Sequence, residues 1–175
     1  DGIHANGIKA LVEKLSLEHH VYVIAPNQER SAAGHSITLN SPLRVEEVEA
    51  LYGSIRSWAV SGTPGDCVKI GVNSILSQEE KPDLIISGIN HGPNLGHDII
   101  YSGTVSCAVE GAMMDIPSIA VSLNSYKPEY ENFLFSAEFI SSLIPKLSLF
   151  KFPKKSILNI NSPDIPQNDI AGVVV

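Results

Sequence analysis

Short apolar runs closed by proline or glycine alternate with longer segments whose apolar residues recur at helical spacing, and this exchange continues along nearly the whole chain. Ile8, Leu11, Val12 and Leu15 mark a helix, and Val21 to Ala25, closed by Pro26, reads as a buried strand. Ile37 to Leu39 and Leu43 to Val48 read as extended pieces around Ser41 and Pro42, and with a strand over Ile55 to Val60 they make a hairpin-like excursion. Thr63 and Pro64 pair a capping hydroxyl with proline at the first helical position, and the stripe Val68, Val72, Ile75 and Leu76 predicts a helix over 64–76. Leu84 to Ile86 is a strand that ends at Gly88, followed by a Gly, Pro and Asn-rich loop from Ile89 to about Tyr101. Val105, Ala108, Val109, Ala112 and Met113 give the next helix, and Ile119 to Leu123 the next strand. Phe133, Ala137, Ile140, Ile144 and Leu147 give a further helix, Ile157 to Ile160 a further strand, and Val173 to Val175 an unfinished one.

Strands that alternate with helices require crossover connections, which are right-handed and produce a mostly parallel sheet covered on both faces. The expected fold is therefore a doubly wound, three-layer α/β sandwich. Its 175 residues suit a single domain spanning 1–175. Asp1 stands directly before a helix, so the strand that would feed that helix is expected to be missing. With an unfinished strand at the other end, the domain is expected to be truncated at both ends.

Charge and thiol content narrow the function. A net charge of −7 and no clustered Lys and Arg argue against a nucleic-acid polymer as partner. A small phosphorylated ligand stays compatible, because a metal ion and backbone amides supply positive potential that net charge does not report. No apolar run approaches the length of a membrane span and no secretory signal pattern opens the chain, so no membrane partner and a cytoplasmic location are expected. Cys67 and Cys107 form no CxxC pair and read as small core residues.

In doubly wound sheets ligands collect beyond the carboxyl ends of the strands. Three segments fall there: Asp1-Gly2-Ile3, the run from Glu29 to Ser36, and the run from Ser87 to Asn94. Asp1, Ser31 and Asn90 offer carboxylate, hydroxyl and amide oxygens, a hard donor set that suits Mg²⁺ or Mn²⁺. Each residue alone is more often structural: Asp1 a turn or cap, Ser31 a loop hydrogen-bonder and Asn90 a turn residue. Ser102, Gly103 and Thr104 stand at the start of the helix that begins near Val105, where free amides and the positive end of the helix dipole make a phosphate seat. The amide of Asn94 is a further phosphate donor. His35 and His91 alone among the six histidines sit beside this rim. No P-loop, dinucleotide fingerprint, nucleophile elbow or HExxH motif occurs.

The segments Asp1 to Ala5, Glu29 to Thr38, Ser61 to Val68, Ser87 to Asn94 and Tyr101 to Val105, taken in order, resemble the SurE family of survival-protein nucleotidases. The resemblance implies a Rossmann-like fold, one divalent cation and a homodimer or homotetramer. It also implies hydrolysis of nucleoside 5′- and 3′-monophosphates, with short polyphosphate as an extra substrate. In that family two consecutive aspartates, a serine and an asparagine hold the metal. Asp1 matches the second aspartate and is the candidate catalytic residue, while Ser31 and Asn90 match the other ligands. Two readings compete: a non-catalytic nucleotide-binding module, and an inactive, metal-deficient fragment. A nucleotide-dependent oxidoreductase would need the dinucleotide fingerprint that is missing.

Overall fold

The computed structural model describes residues 2–29, 34–147, 149 and 153–175. Asp1 and Ser31 lie outside the described residues. Helix α1 (Asn6–Leu15) leads into strand β1 (Tyr22–Pro26), and β2 (Val45–Val48) and β3 (Arg56–Val60) complete a first sheet in the order β1-β3-β2. Helix α2 (Pro64–Ile70) follows, then β4 (Ile85–His91), a short α3 (Asp98–Tyr101), α4 (Gly103–Met113), β5 (Ser118–Asn124), α5 (Leu134–Leu147) and β6 (Leu158–Pro163). Strands β4, β5 and β6 form a second, wholly parallel sheet. In the first, β1 and β3 are parallel and only β2 runs antiparallel. The mostly parallel α/β architecture is the one the alternation requires.

The core follows the apolar stripes. Leu11 and Leu15 of α1, Phe133 and Ala137, Ile140 of α5, and Ile119, Val121 and Leu123 of β5 form one buried cluster. β5 is buried along all but its last residue, as expected of a strand covered on both faces. Helix α2 begins where Thr63 and Pro64 predict. The Thr63 hydroxyl accepts from the Asp66 amide at 3.2 Å and the Asp66 carboxylate accepts from the Thr63 amide at 2.8 Å, which makes a reciprocal cap. The helix does not run unbroken to residue 76. It widens into a π-type turn over Gly71–Ile75.

Three expectations are corrected. Strand β4 does not stop at Gly88 but continues through His91, since β5 offers a parallel partner along that length; Asn90 pairs with Ser122 and His91 with Leu123. The register shifts between Ser87 and Asn90, and the Gly88–Ile89 peptide is cis. Within the predicted loop 89–101, residues Asp98–Tyr101 form a helical turn. Val173 to Val175 are exposed and make no strand, having no described neighbour to pair with. No described helix is long and apolar enough to cross a membrane.

Two glycines fix the path of β4. A Cβ at Gly7 of α1 would lie 1.9 Å from the Ile89 carbonyl oxygen, so the helix rests directly on the strand backbone. Gly88, at φ +132°, would bring a Cβ within 2.3 Å of the Val121 carbonyl oxygen. Neither neighbour is a flexible side-chain tip. Gly7→Ala should therefore lower stability by about 1–3 kcal/mol through overpacking, read as a reduced urea midpoint with an unchanged slope.

Candidate active site at the strand rim

The residues after β1, β4 and β5 gather on one side of the molecule. Asn27, Gln28 and Glu29 after β1, His91 at the end of β4, and Tyr126, Lys127 and Pro128 after β5 line a single cavity of about 490 Å³. This is the carboxyl rim at which ligands of doubly wound sheets bind. A second, larger cavity of about 960 Å³ runs between β1 and β4, and His91 is a wall of both. Asn90, Asn94, Ser102, Gly103 and Thr104 all line this larger cavity. The described candidates therefore share one cavity, although they are spread over 15 positions from β4 through the following loop to the start of α4.

Asn90 is oriented by its own backbone. Its Nδ2 donates to the carbonyl oxygens of His91 and Gly92, both at 2.8 Å. Two carbonyl acceptors identify the atom facing them as nitrogen, so the opposite end of the amide is Oδ1. Among the described residues no hydrogen bond to Oδ1 occurs. A fixed amide oxygen of this kind is a suitable ligand for a hard divalent cation.

Ser102 caps α4, its Oγ accepting from the Val105 amide at 3.1 Å. That leaves the Gly103 and Thr104 amides at the helix start, where intrahelical partners do not exist. A Cβ at Gly103 would approach Pro64 Cγ to 3.0 Å, so glycine permits the starts of α2 and α4 to lie side by side. Both helix dipoles then point positive ends toward the same region.

Asn94 takes a more structural position than its expected role as a phosphate donor implies. It is 6% exposed, its backbone N–H donates to Asn161 Oδ1 at 2.7 Å, and its Nδ2 donates to Ser122 Oγ at 2.7 Å. Its carbonyl accepts from Asn159 Nδ2 at 2.9 Å and Asn161 Nδ2 at 3.3 Å. The backbone amide is thus committed, and only the second Nδ2 hydrogen is left for a ligand. Asn159 and Asn161 carry no motif, but their spacing of two places both on one face of β6.

The segment after Ser31 is fastened to the starts of α2 and α4. The Gly34 amide donates to the Tyr101 carbonyl at 3.1 Å, the Thr63 hydroxyl to the Ser36 carbonyl at 2.7 Å, and Thr38 donates to Asp66 through its amide and its hydroxyl. His35 Nε2 meets Glu110 Oε1 at 2.7 Å, and Lys69 Nζ donates to Glu110 Oε2 at 2.9 Å. His35 is therefore turned toward a buried carboxylate on α4. Burial alone would raise the pKa of Asp66 and of Glu110. The hydrogen bonds from Thr38 and Thr63 hold Asp66 below the usual carboxylate range, and Lys69 and His35 do the same for Glu110. Burial pushes the Cys67 thiol up, as befits an inert core residue.

The sequence model of the family described as Survival protein SurE matches residues 1–175. The chain belongs to the SurE family. A 5′-nucleotidase SurE from Carboxydothermus hydrogenoformans is 45% identical over the whole of this chain, and one from Trichodesmium erythraeum is 47% identical. The chain spans 66% and 65% of the lengths of those SurE proteins. The crystal structure of the SurE protein from Aquifex aeolicus superposes with a TM-score of 0.86 at 40% identity, covering 99% of this chain and 67% of that one.

A carboxylate whose folded pKa is depressed contributes stability above its unfolded pKa and loses it as pH falls through the folded value. Asp66→Asn removes one such group and leaves three donors facing a single acceptor oxygen. The variant should be less stable at pH 7 by about 1–3 kcal/mol, and the difference should shrink below about pH 4. Urea midpoints measured across that range test this; a gap independent of pH would assign the loss to packing alone.

Proposed function

We propose that this protein is a divalent-metal-dependent phosphatase that hydrolyses nucleoside 5′- and 3′-monophosphates, with short polyphosphate as a further substrate. The reading is carried by one observation: Asn90, whose amide is fixed, and Gly103 and Thr104 at the start of α4 line the same cavity. Asn90 and Gly103 are 13 positions apart in the chain, yet an oxygen ligand for a cation and a seat for a phosphoryl group open onto the same space. The name carried by the similar proteins, 5′-nucleotidase SurE, supports the substrate class.

Asp1, Ser31 and Asn90 would hold one cation, Mg²⁺ or Mn²⁺; when bound it supplies Lewis-acid polarisation of a phosphoryl oxygen. The chain's own part is positioning and electrostatics. Amides of Gly103 and Thr104, backed by the α4 dipole, receive the equatorial phosphoryl oxygens and stabilise the charge that grows on them in the transition state. The Ser102 hydroxyl keeps its own hydrogen for a ligand, since its oxygen accepts from Val105. Asn94 adds its second Nδ2 hydrogen, and the Asn159, Asn161 and Ser122 contacts hold it in place. Among the described residues β1 pairs with β3 and β4 with β5, and both β1 and β4 line the larger cavity.

Asn90→Ala and Ser31→Ala should each lower metal-dependent turnover at least about tenfold, since each removes a ligand, without moving the melting temperature by more than a few degrees. The measurement is hydrolysis of AMP against Mg²⁺ and Mn²⁺ concentration. Unchanged turnover in both variants would reject the assignment.

A further inference from the structure

The smaller cavity at the rim is not accounted for by phosphate chemistry. It measures about 490 Å³, within the size range of small-ligand sites. It shares the His91 wall with the larger cavity, and Asn90 immediately precedes that wall in β4. One side is the Tyr126 ring, which lies beside Gly92: a Cβ there would sit 3.5 Å from Tyr126 Cε1. The Gly92 amide donates to the Ser125 carbonyl at 2.7 Å, which ties the loop after β5 to the end of β4. Tyr126 is 76% exposed, a large aromatic surface that no core contact explains. Asn27, Gln28, Glu29 and Lys127 line the same cavity, a set that carries amide, carboxylate and ammonium groups.

Resting on the phosphatase reading, we propose that this cavity receives the nucleoside portion of the substrate, with the base stacked on Tyr126. A flat π-face flanked by groups that both donate and accept hydrogen bonds matches a base and its ribose. With Glu29 and Lys127 on the same lining, the cavity carries no excess of positive charge to select a second phosphate. The arrangement also explains the shared wall. A phosphate at the start of α4 and a base against Tyr126 would lie on opposite sides of Asn90 and His91, with the scissile ester between them.

The test compares three compounds in the wild-type protein and in Tyr126→Ala and Tyr126→Phe. AMP carries base, sugar and phosphate; ribose 5-phosphate lacks the base; adenosine lacks the phosphate. Tyr126→Ala should raise KM for AMP about tenfold, the effect of losing one base stack, and leave kcat and all constants for ribose 5-phosphate unchanged. Tyr126→Phe should restore AMP. Adenosine binding, followed by calorimetry with Mg²⁺ present, should weaken by the same factor in Tyr126→Ala. Equal losses on AMP and ribose 5-phosphate, or adenosine binding that ignores the substitution, would overturn the proposal. A wild-type protein that binds adenosine through Tyr126 but hydrolyses neither phosphate would instead overturn the phosphatase reading and leave the nucleoside cavity standing.

Discussion

The path of β4 between Ser87 and Asn90 is the constraint on which the rim depends. At this point the strand is squeezed from two sides, by α1 at Gly7 and by β5 at Val121, and no side chain larger than hydrogen fits at Gly7 or Gly88. The shift of register there re-aims the last residues of the strand. Asn90 ends with its amide nitrogen folded back onto the carbonyls of His91 and Gly92, so its oxygen is presented without a side-chain partner to hold it. A ligand fixed by main-chain contacts loses little entropy when it binds, which is how a neutral amide competes with water for a cation.

The same economy governs the polar groups behind the rim. Asn94, Ser122, Asn159 and Asn161 form a network across the end of the second sheet, joining the β4–α3 loop to β5 and β6. Buried polar groups cost little only when they are satisfied; Asn94 meets this through four contacts, whereas Asn159 Oδ1 is buried with no hydrogen-bond partner among the described residues. Asp66 and Glu110 act in a similar way on the other flank. Each is a buried carboxylate on a helix, each holds part of the 34–38 segment, and each is kept ionised by its donors.

The periodic parts of the fold could be read from the sequence because burial alone determines them. Val21 to Ala25, Ile119 to Leu123 and the stripe through Phe133 and Ile140 fall where the structure has β1, β5 and the segment leading into α5. The cap at Thr63 and Pro64 was equally visible, being a local hydrogen-bond pattern. The continuation of β4 through Asn90 was not, since Gly88, Asn90 and Gly92 carry the composition of a loop and only the pairing with β5 makes them a strand. Of the site, the residues at the start of α4 and Asn90 were legible from position and donor type. Asn159, Asn161, Glu110 and Tyr126 were not, because each matters through a partner more than 25 residues away, for which local spacing leaves no mark.

On the proposed reading an acidic chain with a net charge of −7 seats an anion, and the start of α4 offers backbone amides for it. The geometry indicates how. The starts of α2 and α4 lie side by side, so two dipoles reinforce each other where Gly103 and Thr104 face the cavity. Lys69 is taken up by Glu110, and His35 shares the same carboxylate. These contacts act as struts, and the helix starts add a positive potential that belongs to the backbone. Such potential is preorganised: it needs no side chain to reorient as charge develops, which is the property that makes amide seats effective in transition-state stabilisation.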